Sequence, residues 1–134
     1  MPGVFNAAMG NGDAHLKNWM LRYADGFTAA LAPAFDLVST IQYEKTDQHE
    51  FALNFAGVKR YDQLTLSTVE RFAAALKVPG REALDPVPLV ELAHDTARQV
   101  VQQWGAFAEQ HDVPPSFTDR LREHWKRLPL LQDR

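Results

Sequence analysis

Three side chains in the first quarter of the chain have the types and spacing for phosphoryl transfer. Asp13 and Asn18 form Asp-x-x-x-x-Asn, and Asp36 lies eighteen residues further on. Such chemistry needs a carboxylate to orient the attacking hydroxyl and accept its proton. It also needs hard oxygen ligands that hold magnesium against the nucleotide phosphates. The interval between Asp13 and Asn18 fits the first carboxylate and an amide ligand, but five-residue Asp–Asn spacings are common in loops. The second carboxylate, placed after a short hairpin, gives the pattern its specificity. Each residue also has a bland reading: Asp13 as a turn or cap, Asn18 as a strand cap, Asp36 as a turn former. Asp36 stands between Phe35 and Leu37, so burying it unpaired would be costly, and a metal would offset that cost.

The elements that must position these groups are legible around them. Gly10-Asn11-Gly12-Asp13-Ala14-His15-Leu16-Lys17-Asn18 is a dense polar run, entered through Phe5, Ala7, Ala8 and Met9 and left through Trp19, Met20 and Leu21. Two glycines around Asn11 permit positive φ or close approach of a ligand, which predicts a tight loop held by apolar elements. Trp19 to Tyr23 and Phe27 to Leu31 can pair across the Asp25-Gly26 turn signal. Ala32-Pro33-Ala34 ends that pairing, and Phe35-Asp36-Leu37 follows, an Asp among large apolar residues where protein kinases keep an Asp-Phe-Gly metal ligand. The expectation is one α-rich domain with a small hairpin that brings Asp13, Asn18 and Asp36 to one cleft.

Phe5-Asn6, the Gly10–Asn18 run, and Leu31-Ala32-Pro33-Ala34-Phe35-Asp36-Leu37-Val38-Ser39 together resemble the C-terminal part of HipA-like serine/threonine kinases, the toxins of bacterial toxin–antitoxin pairs. The sharp match covers about residues 5 to 40. The resemblance implies an α+β, predominantly helical fold: a protein-kinase-like C-terminal lobe with a small β-hairpin. It implies Asp13 as catalytic base, Asn18 and Asp36 as magnesium ligands, and ATP with Mg2+ as cofactors. It further implies a HipB-like DNA-binding antitoxin as partner and an aminoacyl-tRNA synthetase as protein substrate.

Two more residues of the loop are candidates for the phosphates. Lys17 either neutralises a transferring phosphate or lies in solvent. His15, two residues after Asp13, either contacts a phosphate or holds the loop through backbone carbonyls. His49, His94, His111 and His124 show no paired spacing and read as surface residues. Gly10-Asn11-Gly12 lacks a following Gly-Lys-Ser/Thr, so it is not a Walker loop. Asp13-x-His15 echoes a metallophosphoesterase signature, but no further grouped histidines support it.

Composition bounds the rest. The 134 residues suit one domain with a modest core, and 46% hydrophobic with 23% charged residues is ordinary for a globular protein. Fourteen basic against seventeen acidic residues give a net charge of −3 and no electrostatic case for direct nucleic-acid binding. Zero cysteines exclude disulfides, thiolate catalysis and zinc–thiolate sites. No apolar run approaches a membrane span, and Met1-Pro2-Gly3-Val4 is no signal peptide, so a cytoplasmic protein is the default.

Along the remaining chain, residues 44–50 read as a polar loop, and Phe51, Leu53 and Phe55 alternate as a strand, with a hairpin over Phe51 to Tyr61. Ser67-x-x-Glu70 predicts a capping box for a helix carrying Val69, Phe72, Ala73 and Leu76, stopped at Pro79-Gly80. Asp85-Pro86 opens a long helix with a stripe of Leu89, Ala93, Ala97, Val100, Trp104 and Phe107. Pro114-Pro115 separates it from a last helix bearing Phe117, Leu121, Trp125 and Leu128. Only twelve residues precede Asp13, leaving no room for a glycine-rich nucleotide loop or a strand Lys with its Glu partner. The chain is therefore expected to lack an N-terminal lobe, to be folded yet catalytically silent alone, and to self-associate through the exposed lobe interface. The alternative is a non-catalytic interaction module: a kinase remnant or one part of a split system.

Overall fold

Helix α1 (Pro2–Ala8) is only 7 residues long, too short to hold itself in water. Its stability comes from what covers it. Val4, Ala7 and Ala8 are fully buried, and α1 packs against α3 (Val87–Gln110). Its terminal carbonyls have no partner within the helix; the following loop takes those of Phe5, Asn6 and Ala7, and the far end of the chain reaches Ala7 and Ala8. The His124 ring nitrogen Nε2 lies 2.7 Å from the Ala7 carbonyl, and the Trp125 indole N–H donates to Ala8 at 2.8 Å. A carbonyl only accepts, so Nε2 of His124 carries the proton. His124 is thus 8% exposed and structural, not the surface residue its isolated position suggests; His94 is half-buried and His111 exposed.

This computed structural model describes residues 1–43, 50–76 and 85–132. The polar loop over 44–49 and the stop at Pro79-Gly80 lie outside the described residues. After α1 come a short 3-10 turn at Leu16–Asn18 and an antiparallel hairpin of β1 (Leu21–Arg22) and β2 (Ala30–Leu31), then a second 3-10 turn at Thr40–Gln42. A second antiparallel hairpin joins β3 (Glu50–Phe55) to β4 (Val58–Arg60). Helices α2 (Leu66–Ala75), α3 and α4 (Pro115–Lys126) follow. The fold is α+β, mostly helical with two small antiparallel hairpins.

Local chemistry explains most boundaries. The β3–β4 turn uses Ala56 at φ 50° and Gly57 at φ 88°, the two positive-φ positions of a tight hairpin turn. The cap of α2 sits two residues earlier than Ser67: Thr65 accepts from the Thr68 amide, and the Thr68 hydroxyl faces the Thr65 amide in return. The reciprocal Thr–Thr pair satisfies the same two orphan donors that a Ser–Glu box would.

Two apolar clusters hold these elements. One gathers Val4, Leu64, Val69, Ala93 and Leu128 between α1, α2 and α3. The other joins Ile41, Trp104, Leu121 and Trp125 where α3 and α4 meet. The Trp104 and Phe117 rings stack with centroids 5.7 Å apart, so the long apolar stripes are core. Phe107, at the end of the α3 stripe, is 49% exposed. No helix among the described residues is long and apolar enough to cross a membrane.

Candidate active site

The polar loop begins where α1 ends. Gly10 takes φ 65°, and a Cβ there would lie 2.6 Å from Ile41. The chain then turns against the segment that follows Asp36. The Ser39 hydroxyl donates to the Met9 carbonyl at 2.7 Å, and the Ile41 amide donates to Gly10 at 3.2 Å. The Thr40 hydroxyl donates to the Gly10 carbonyl at 3.0 Å and accepts from the Gly12 amide at 2.8 Å. These four bonds zip residues 9–12 onto residues 39–41. Gly12 also lies against the start of β3, where a Cβ on it would sit 2.8 Å from the Glu50 backbone oxygen. Gly12→Ala should therefore cost about 1–3 kcal/mol of stability by overpacking against backbone, read as a lower urea midpoint at unchanged slope.

Asn18 and Asp36 meet across the first hairpin. Leu21 pairs with Leu31 and Arg22 with Ala30, and the Ala32 amide extends the pairing to the Met20 carbonyl at 2.8 Å. The strands are shorter than the apolar runs around Asp25-Gly26, and the loop between them is wider. Asp25 organises that loop by accepting from the Phe27 and Thr28 amides and the Thr28 hydroxyl. The Thr28 hydroxyl and these amides hold the exposed Asp25 carboxyl down at about 2. Its folded pKa is depressed, so its support of the loop is present at neutral pH and is lost as pH falls toward about 2.

At the base of the hairpin the Asn18 carboxamide nitrogen donates to Asp36 Oδ2 at 2.5 Å. Asp36 takes φ 55°, a left-handed conformation uncommon for a residue with a Cβ and concentrated at functional sites. Asp36 is exposed, with Phe35 and Leu37 42% and 50% exposed. The burial cost inferred from its apolar neighbours is therefore absent, and its left-handed backbone is the feature that needs explaining.

Asp13 lies on the same loop with its carboxylate exposed. Its backbone amide donates to Asn11 Oδ1 at 3.0 Å, while Asn11 Nδ2 donates to the Asp36 carbonyl at 3.2 Å. One buried side chain thus touches both acidic segments. Sequence reading treats Asn11 only as a residue between two glycines; its hydrogen-bonding partners come from a fold that sequence spacing does not encode. Lys17 is exposed, and His15 is half-buried with Nδ1 shielded and lacking a hydrogen-bond partner among the described residues. Trp19 Nε1 is likewise shielded without a partner there.

A pocket of about 100 Å³ opens beside this pair, lined by Ala14, Asn18, Trp19, Phe35 and Asp36 among others. A second cavity of about 280 Å³ shares Pro2, Asn6, Ala14 and Trp19 with the first. Among the described residues no three His, Cys, Asp or Glu side chains cluster as a metal cage. One carboxylate and one amide oxygen nonetheless fit magnesium, which binds through one or two protein groups and completes its shell with water and phosphate. Asn18 would present Oδ1 by a half-turn of its carboxamide.

Comparison with known proteins identifies the family. The model of the HipA-like C-terminal domain matches residues 3–104. A protein of Sinorhizobium fredii named "Putative kinase Y4dM" is 38% identical over 134 residues, covering 97% of this chain and 30% of that relative. The chain thus spans less than a third of the relative's length. No solved structure matches. With the family model covering most of its length, the chain belongs to the HipA-like C-terminal domain family.

Proposed function

We propose that this chain is the catalytic and metal-binding part of a protein serine/threonine kinase, a kinase-like C-terminal lobe that transfers the γ-phosphoryl group of ATP to a protein hydroxyl. The observation that carries the reading is the Asn18–Asp36 pair at the base of the hairpin, with Asp13 on the adjoining loop. Asp13 orients the substrate hydroxyl and takes its proton as the new O–P bond forms and the bond to the ADP oxygen breaks. Asn18 and Asp36 are the residues that would hold magnesium, which neutralises charge on the phosphate oxygens. Exposed Lys17, and His15 beside it, are suited to the phosphates.

The rest of the site belongs to a longer kinase in this reading. A nucleotide-binding lobe would close over Asp13 and Asp36, and apolar residues exposed on the polar loop and the first hairpin support such an interface. Phe27 is 91% exposed and Leu16 74%, with Met20, Leu21 and Leu31 each more than half exposed. Surfaces of this kind mark protein–protein contacts or self-association. The same surface also supports the second reading, a non-catalytic interaction module. A HipB-like antitoxin, an aminoacyl-tRNA synthetase substrate and a cytoplasmic location follow from the family resemblance as further parts of the proposal.

Titrating the 134-residue chain with Mg-ATP, beside a radiolabelled transfer assay, tests this division of labour. Phosphoryl transfer depends on positioning, so the chain alone should bind nucleotide weakly and transfer nothing. A longer kinase containing it should do both. Tight binding and Asp13-dependent transfer by the short chain would show that it holds a complete site. An inactive longer protein would favour the interaction module.

A further inference from the structure

We infer that Asn11 is a positioning residue whose single carboxamide locks the Asp13 loop to the Asp36 loop and holds Asp36 in its left-handed conformation. This role rests on the kinase reading for its purpose, though not for its geometry. Asn11 is 2% exposed, and a buried carboxamide must find partners for both of its ends. Its oxygen accepts from the Asp13 amide at 3.0 Å. Its nitrogen has two protons and spends them on two acceptors: the Asp36 carbonyl at 3.2 Å and Asn6 Oδ1 at 3.1 Å. The backbone amide of Asn11 is tied separately to the Asn6 carbonyl at 2.8 Å, so α1 fixes both the main chain and the side chain of this residue.

The chemistry of the amide decides why Asn stands here. The Asp13 amide can only donate and the Asp36 carbonyl can only accept, so the bridging side chain must offer an acceptor at one end and donors at the other. Asp would supply the first and fail the second; it would also set a carboxylate against two oxygens. Leu or Ala would strand three polar groups. Asp36, at φ 55°, gains no relief from a missing Cβ as glycine would. The bond to its carbonyl is therefore one of the restraints that keep its carboxylate directed at Asn18 Nδ2. The zipper at Ser39 and Thr40 sets the two segments side by side, but it acts beyond Asp36, whose carbonyl is held by Asn11.

The test is made on the 134-residue chain by NMR without metal or nucleotide, so it does not depend on the kinase reading. In Asn11→Ala, the Asp13 amide should lose hydrogen-exchange protection and the Asp36 carbonyl carbon should shift together. In Asn11→Asp, Asp13 should keep its protection while the Asp36 signal moves as in Asn11→Ala. A substitution that moves one segment and leaves the other unchanged in Asn11→Ala would overturn the inference. If neither variant folds, the wild-type chain decides. Slow exchange of the Asn11 side-chain amide protons, with nuclear Overhauser effects to residues 36 and 37, supports the lock, and fast exchange overturns it. In a complete kinase, Asn11→Ser should raise the Mg2+ concentration for half-maximal transfer about 10- to 100-fold, the range for groups that orient metal ligands. The KM for the protein substrate should stay unchanged, whereas a general loss of structure would disturb both. A kinase that proves inactive would remove the purpose of the lock, while the metal-free spectra would still report whether it exists.

Discussion

Asp13→Asn, introduced into a longer kinase that contains this chain, should lower phosphotransfer by about 10²- to 10⁴-fold, the range that one general base contributes. The substitution is nearly isosteric. The Asp13 side chain is exposed, and the bond that anchors the residue uses its backbone amide. The fold should therefore be kept, with the thermal midpoint unmoved within about a degree, as expected of surface changes away from structural features. Single-turnover transfer and thermal unfolding on the same preparation separate the two effects. Wild-type turnover would take the base role from Asp13, and a large fall in stability would make the residue structural.

The largest stability effect is expected at Trp125. Trp125→Ala should remove about 3–5 kcal/mol, as aromatic deletions from cores do. The indole is 9% exposed, meets Trp104 edge to face at 6.4 Å, and caps the Ala8 carbonyl. Loss of that cap frees the end of α1 directly before Gly10, so the effect reaches the polar loop as well as the core. Trp125→Phe keeps most of the apolar area and loses the N–H donor, and should cost about 1–2 kcal/mol for the stranded carbonyl. Urea unfolding of the three proteins measures both steps. Equal stability of Trp125→Phe and wild type would mean that the α1 carbonyl is satisfied in another way.

The sequence made the helices legible because their apolar residues recur at helical spacing: Ala93, Ala97 and Trp104 on α3, and Leu121 and Trp125 on α4, are all buried. The Asp25-Gly26 signal located the first hairpin, although its strands carry only two residues each. Apolar runs report what could pair, and the Asp25 side chain widens the loop by capturing amides that would otherwise continue the ladder. The cap of α2 escapes sequence reading because Ser67-x-x-Glu70 and Thr65-x-x-Thr68 are both suited to satisfying the orphan amides, and local pattern does not decide between them. His124 was misplaced for a different reason. Its partner is the Ala7 carbonyl, 117 positions away in sequence, and no spacing rule connects them.

Within the candidate site, Asn18 and Asp36 could be paired from sequence because a hairpin separates them. Asn11 could not be given a role from its neighbours, since two of its three side-chain bonds depend on where the Asp36 segment and α1 lie. Asp36 is exposed rather than buried between Phe35 and Leu37, so burial supplies no reason for a metal there. The exposed carboxylate, its left-handed backbone and its bond to Asn18 support the metal proposal instead.

Manganese can stand in for magnesium at oxygen sites, and its paramagnetism broadens nearby nuclei, so an NMR titration of the wild-type chain with Mn2+ tests the central proposal most directly. The amide signals of Asn18 and Asp36 should broaden first, followed by Asp13, and Asp36→Ala should abolish the selectivity. Selective broadening centred on another carboxylate, such as Asp85 or Asp119, with Asn18 and Asp36 untouched, would contradict the assignment of the metal site and with it the phosphotransfer reading.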